Sequence, residues 1–403
     1  MKVGYAHALI TPYLESPVFL AGFGQNRRAE TVHDDLTVRA VAISDSSRTV
    51  VLCALDLIGF FRKDAYDVIE RVKAAEVMMT SAASNLDIII ASLHPHHGPD
   101  TMGMWGPDDK TSGVDMIYLA ELKDKITATI LASLENMHES GGMKATSMHF
   151  PGLVKNARNP EVVDDELVMA QFVGQDNRSP LLTIMNFPCH PEVLWEHNPH
   201  ITADYPGYLR KEVERQTSAP CIFFSADLGG MMTPNVKDHS FEEAHFMGKQ
   251  LAEQGLITLS KAPLLHDPLT IILQKKEIYL RLANILFKFA IHRGLFPDIR
   301  DKIGFITSEV NLLKVGPLWL ATVPGELLPK LGLALKADMC AAGARYAGVI
   351  GLANDELGYI LPKEEFRYPI NPLKPGKHYE ESMSVSKEIG PIVVNALQEL
   401  VRG

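Results

Sequence analysis

Cysteine is scarce in this chain: Cys53, Cys189, Cys221 and Cys340 are its only four, far apart and without Cys-x-x-Cys spacing. That excludes a disulfide-stapled scaffold and a cysteine-based zinc ribbon, and it reads as reduced core thiols. No apolar run reaches the roughly 18 residues that a membrane-crossing helix needs. Basic charge is also short, with 39 Lys and Arg against 49 Asp and Glu and a net charge of −10. Lys275 and Lys276 form only an isolated pair, so a nucleic-acid partner is excluded. The start, Met1-Lys2-Val3-Gly4-Tyr5-Ala6, has no charged region leading into a sustained apolar one, and Glu15 and Pro17 break up the next stretch. No signal peptide is therefore expected, and a cytoplasmic location is. Low-complexity segments and repeats of fixed period are absent as well.

What remains is ordinary globular composition, 46% hydrophobic and 22% charged over 403 residues, enough to bury a large core. Strand-like runs fall at Val38–Ser44, Thr49–Leu57, Asp87–His94, Leu181–Phe187, Cys221–Asp227, Leu318–Val323 and Ala347–Ala353. Helical patterns alternate with them at Arg62–Ala75, Met116–Met137, Pro206–Gln216, Phe241–Ala262, Leu327–Ala342 and Ser384–Arg402. The alternation predicts an α/β fold, a mixed sheet core flanked by helices, in one domain over 1–403. Residues 265–315, with a second helical stretch at Glu277–Leu295, are expected to be an insertion or subdomain.

The most informative stretch is Ser92-Leu93-His94-Pro95-His96-His97-Gly98-Pro99, which comes after the buried run Asp87–Ala91. Ligands in α/β folds bind beyond the carboxyl ends of strands, and clustered histidines there point to a metal or a catalytic site. Hydrogen-bonded turn residues are the plainer alternative. A second apolar run ends in Asn186-Phe187-Pro188-Cys189-His190-Pro191-Glu192, with His197, His200 and Asp204 beyond. Zinc sites gather ligands from separate elements, so His94 and His190 could each supply an imidazole. Cys189 reads as a small core residue. Asp56 and Asp227, both in apolar surroundings, would either hydrogen-bond a ligand histidine or cap a loop. Met102, Met104, Trp105 and Trp195 would wall an apolar pocket or fill core gaps.

Several of these segments, taken in order, resemble the catalytic domain of the neutral/alkaline non-lysosomal ceramidases, zinc amidases that cut the N-acyl bond of ceramide. The family's Thr-His-Thr-His-Ser-Gly-Pro is similar to Leu93–Pro99, and its Asn-Phe-x-x-His-Pro to Asn186–Pro191. Gly-Asp-x-Pro-Gly-Tyr resembles Ala203–Tyr208, Pro-Gly-Glu recurs as Pro324–Glu326, and Gly-Leu-x-Asn as Gly351–Asn354 with Tyr359 a little further on. The resemblance implies zinc held by His94, His190, Glu326 and Tyr359. Read alone, Glu326 is a first-turn helix glutamate and Tyr359 an ordinary tyrosine. The family's serine, in Asn-Leu-Gly-Asp-x-Ser-Pro-Asn, is matched by Thr233 in Asp227–Asn235, a segment one residue longer; a Thr-Pro turn is the plainer alternative there. Asn156–Pro160 resembles Asn-Arg-Ser-Pro, which makes Arg158 a substrate-orienting or oxyanion-stabilising group, or else a loop arginine.

The resemblance implies a zinc-dependent hydrolase of an N-acyl amide with an apolar acyl group, attacked by zinc-activated water. His96 would be the general acid, Tyr359 and Arg158 would stabilise the oxyanion, and Thr233 would bind the polar head or, less favoured, attack. An esterase or lactonase could use the same site, and a non-catalytic binding homologue could keep the fold. The partner is a small acyl amide or ester. A metallo-β-lactamase site is disfavoured, because the Asp-His expected after His94-x-His96 is replaced by His97-Gly98.

Overall fold

A computed structural model describes residues 1–80, 85–266, 268–294, 296–367 and 379–403. The α/β expectation is met. A large mixed sheet runs in the order Cys221–Ser225, Pro180–Phe187, Glu166–Gly174, Met137–His149, Lys2–Leu9, Thr37–Ser44, Thr49–Leu55, Leu86–Ser92. A second sheet joins Ile271–Arg281, Phe305–Val315, Leu318–Thr322 and Tyr346–Ile350. Among the described residues no helix is long and apolar enough to cross a membrane.

The wiring repeats where the sequence shows no fixed period. Units beginning at residues 2, 137 and 271 each open with two successive antiparallel pairings of neighbouring strands. In each, a helix then crosses back to a fourth strand parallel to the third. The crossover helices are Arg62–Thr80, Asp204–Thr217 and Pro329–Ala341. Parallel pairing requires such a crossover, and buried parallel strands read as continuous apolar runs, as Ile88–Ala91 does.

The three units share one core, in which Ile89, Phe187, Phe223 and Ile350 are all buried. Their fourth strands converge. Ser92 donates its N–H to the Leu352 carbonyl at 3.1 Å, and Gly351 to that of Ser225 at 3.0 Å. The Ser225 hydroxyl then donates to the Leu93 carbonyl at 2.7 Å. Loops leaving the strand ends of all three units therefore meet in one place.

The two long strands of the stretch 265–315 begin the second sheet, which Leu318–Thr322 and Tyr346–Ile350 complete. Residues expected to be helical at Glu277–Leu295 divide into the end of the strand Ile271–Arg281 and a helix at Ile285–His292. Asp267 and Leu295 lie outside the described residues.

Candidate metal centre and cavity

His94 stands just past the fourth strand of the first unit, while His190 and Glu326 stand past the third strands of the second and third. Each unit thus delivers one of these side chains. His94 adopts a left-handed backbone, φ 68°, uncommon for a residue with a Cβ. The turn is held by its N–H donating to the Leu57 carbonyl at 2.9 Å. Its Nδ1 meets the Ile58 carbonyl at 2.5 Å and the Nδ1 of His190 meets that of Met232 at 2.9 Å. A carbonyl partner makes Nδ1 the protonated nitrogen and leaves Nε2 as the ligand atom in both rings.

Glu326 closes the group. Its Oε2 lies 3.0 Å from His190 Nε2 and its Oε1 3.8 Å from His94 Nε2. His96 completes a trio of buried histidines whose ring nitrogens lie within 4.8 Å of one another and can hold a metal ion. The family resemblance reserves His96 for proton transfer, whereas the geometry sets it beside the other two. Its Nδ1 is 3.0 Å from Glu192 Oε2, in ion-pair range without an aligned hydrogen bond. Tyr359 neighbours Glu326 across a short parallel ladder and donates its hydroxyl to Met231 Sδ at 3.5 Å.

The electrostatics suit a cation. Burial, with His96 and His190 adding to it, pushes His94 down to about 3, which keeps its ligand nitrogen unprotonated. Burial also works against a charged His190, but Glu326 and Glu192 outweigh it and hold that ring at about 9, so an entering cation would take the place of the proton on its Nε2. Glu326 stays below the ordinary carboxyl range, because the three histidines override its burial. Both ring nitrogens of His96 and both Glu192 oxygens are buried without hydrogen-bond partners. Buried imidazole and carboxylate groups left without protein partners are what a metal-ligand set presents.

His94, His96, Glu192 and Glu326 line a cavity of about 1060 Å³. Met102, Met104 and Trp105 line it with Phe23, Phe287 and Phe296. Trp195 instead packs between Phe23 and His239 and accepts a hydrogen bond from His97 on its carbonyl. Gly22 lies over the His96 ring with φ 101°, and a Cβ there would overlap the imidazole. Gly22→Ala should therefore displace His96 and lower kcat/KM about 100-fold. Wild-type turnover in this variant would show that His96 has no role in the reaction.

Two expected contributors sit differently. Arg158 reaches the cavity wall, but its Nη1 donates to Glu380 at 2.8 Å and to Glu381 at 3.0 Å. Its Nη2 is taken by Glu381 at 3.1 Å and the Glu365 carbonyl at 3.2 Å. In this arrangement the guanidinium braces the cavity wall. Thr233 is buried in the short strand Met232–Pro234, close to Glu192, and it is not among the cavity-lining residues. Burial disfavours charge on Glu192, but His96, with help from Thr233, keeps it ionised with a pKa of about 2. Thr233→Ser should be near wild type, whereas Thr233→Ala should lose about tenfold in rate by replacing a polar neighbour of that carboxylate with a methyl group. An acyl adduct on Thr233, seen by mass spectrometry during turnover, would overturn this assignment.

Asp56 serves neither role expected of it. It takes a bidentate pair from Arg210, both contacts at 2.8 Å, and hydrogen bonds from the N–H and hydroxyl of Thr37. Asp227 is buried with Asp164 and Lys336. Cys189 is a buried free thiol. His97, His197 and His200 stand apart from the metal group: His97 bonds a backbone carbonyl, His197 is exposed, and His200 contacts Thr31.

Sequence reasoning missed Glu192 and Glu356. The signal for Glu192 was its place two residues after His190. Glu356, three residues before Tyr359, lines the cavity with Oε1 on the Gly358 N–H at 3.0 Å and Oε2 unpartnered. Burial, reinforced by Glu326, raises its pKa well above the ordinary range.

No protein-family model and no curated protein matches the sequence. Solved structures do match the fold. The neutral ceramidase from Pseudomonas aeruginosa aligns with a TM-score of 0.76 at 17% identity, over 99% of this chain and 73% of that one. A ceramidase complexed with C2 aligns with a TM-score of 0.77 at 16% identity, over 99% of this chain and 74% of that one. The chain therefore has the neutral ceramidase fold over its whole length.

Proposed function

We propose that this protein is a zinc-dependent amidohydrolase that cleaves an N-acyl amide with an apolar acyl group, as a divergent relative of the neutral ceramidases. The observation that carries the reading is one carboxylate and three buried histidines, drawn from three units, of which His94, His96 and Glu326 line a cavity walled by Phe, Met and Trp. The ceramidase fold agrees with it. His94, His190 and Glu326 would hold the ion, with Tyr359 beside them. When bound, zinc supplies Lewis acidity, polarising a carbonyl and making water nucleophilic near neutral pH.

The chain's own residues would do the rest. Glu192 steadies His96 through Nδ1, leaving Nε2 to pass a proton to the leaving amine. Burial keeps the Tyr359 hydroxyl protonated, so it can donate to the carbonyl oxygen as charge develops there. Thr233 helps keep Glu192 ionised, and Arg158 fixes the wall around Glu380 and Glu381. The apolar wall receives the acyl chain and excludes water.

The test is metal analysis paired with hydrolysis of matched acyl amides and esters. Near-stoichiometric zinc is expected, together with amide cleavage that is lost on chelation and restored by zinc. Turnover that survives complete metal removal would overturn the reading. Zinc retained with neither amide nor ester cleaved would favour a binding protein.

A further inference from the structure

The helix Ile285–His292 has two apolar faces where a surface helix ordinarily has one. Inward, Phe287 is buried, lines the cavity and stacks on Phe296 at 5.4 Å. Outward, Ile285 is 70% exposed, Leu286 57% and Phe289 55%, and Ile303 further along the same connection is 80% exposed. The helix is not frayed. Asn284 caps it, accepting from the N–H groups of Leu286 and Phe287, and its amide donates to the Ser382 and Ser384 carbonyls at 2.7 and 2.8 Å. Those residues flank Met383, which lines the same cavity. A rigid helix therefore joins the cavity wall to an exposed apolar face.

Charge decides what covers that face. Residues 281–304 carry Arg281, Lys288, Arg293, Arg300 and Lys302 against Asp298 and Asp301, in a chain whose net charge is −10. The Arg293 guanidinium lies 5.1 Å from the Phe289 ring centre, a cation at the edge of the apolar face. A second copy of the chain, docked symmetrically, would set this positive patch against itself. An anionic bilayer satisfies both features, with apolar side chains entering the acyl boundary and cations meeting headgroups.

We propose that Ile285, Leu286, Phe289 and Ile303 form a docking platform for an anionic lipid surface, which places the cavity at the bilayer where its substrate resides. The inference builds on the reading of an apolar acyl substrate, but its test requires no turnover. The full chain should co-float with vesicles of equimolar phosphatidylcholine and phosphatidylglycerol and fail to float with phosphatidylcholine alone. The triple variant Ile285→Glu, Leu286→Glu, Phe289→Glu should float about tenfold less, with an unchanged melting temperature and unchanged hydrolysis of a short, water-soluble amide. Equal flotation of variant and parent would overturn the proposal, as would absence of parent flotation. A dimer in sedimentation velocity that the variant abolishes would assign the face to a second copy instead.

Discussion

Alanine at His190 should remove the metal and lower amide hydrolysis by about 10³-fold or more, since the several kcal/mol of charge stabilisation that a Lewis acid supplies are lost with it. His94→Ala should behave alike. The fold should survive both, because the two rings sit in loops beyond their strands and bond outward only to the Ile58 and Met232 carbonyls. Metal content, circular dichroism and rates on one preparation decide the matter. Stoichiometric zinc in both variants would remove these residues from the site. His96→Ala separates the two roles open to that ring, since a ligand would take the metal with it and a proton donor would leave the metal in place and lose the rate.

The largest effect on stability should come from Asp56→Ala. Arg210 is 3% exposed, and its bidentate partner is this one carboxylate. Removing it strands a guanidinium in the interior and should cost about 3–5 kcal/mol. Asp56 also accepts the Thr37 N–H at 2.8 Å, so a backbone donor is orphaned with it. Urea denaturation should show a lower midpoint at unchanged slope. Adding Arg210→Met should recover part of the loss, because the double variant no longer buries an unpaired charge. A single variant as stable as the parent would show that water reaches the pair.

The strands that feed the centre were legible because they are buried and apolar: Leu86–Ser92, Pro180–Phe187 and Leu318–Thr322 lie within about two residues of their expected limits. The first strand of each unit was not. Ile271–Arg281 alternates buried and exposed positions and carries Lys275, Lys276 and Glu277, so its apolar content resembled a helix face. Met137–His149 contains Ser140, Gly141 and Gly142 with a register shift among them, the composition of a loop. Within the site, histidines at strand ends are conspicuous, and the motif resemblance drew Glu326 and Tyr359 to them. Arg158 and Asp56 could not be placed, because the acids of 380–381 and the arginine at 210 that engage them lie far along the chain. Long-range ion pairs leave no local periodicity to read.

The threefold wiring has a consequence for assembly. Positions 94, 190 and 326 stay remote until the last unit has closed against the first two, so no two-unit intermediate can contain the full set of side chains. The entropy of closing those long loops is spent by the protein before any ion arrives. Metal capture would then act as a checkpoint on tertiary completeness, and an ion bound there would act as a clasp across three units that already share a core, adding to the free energy that opposes their parting.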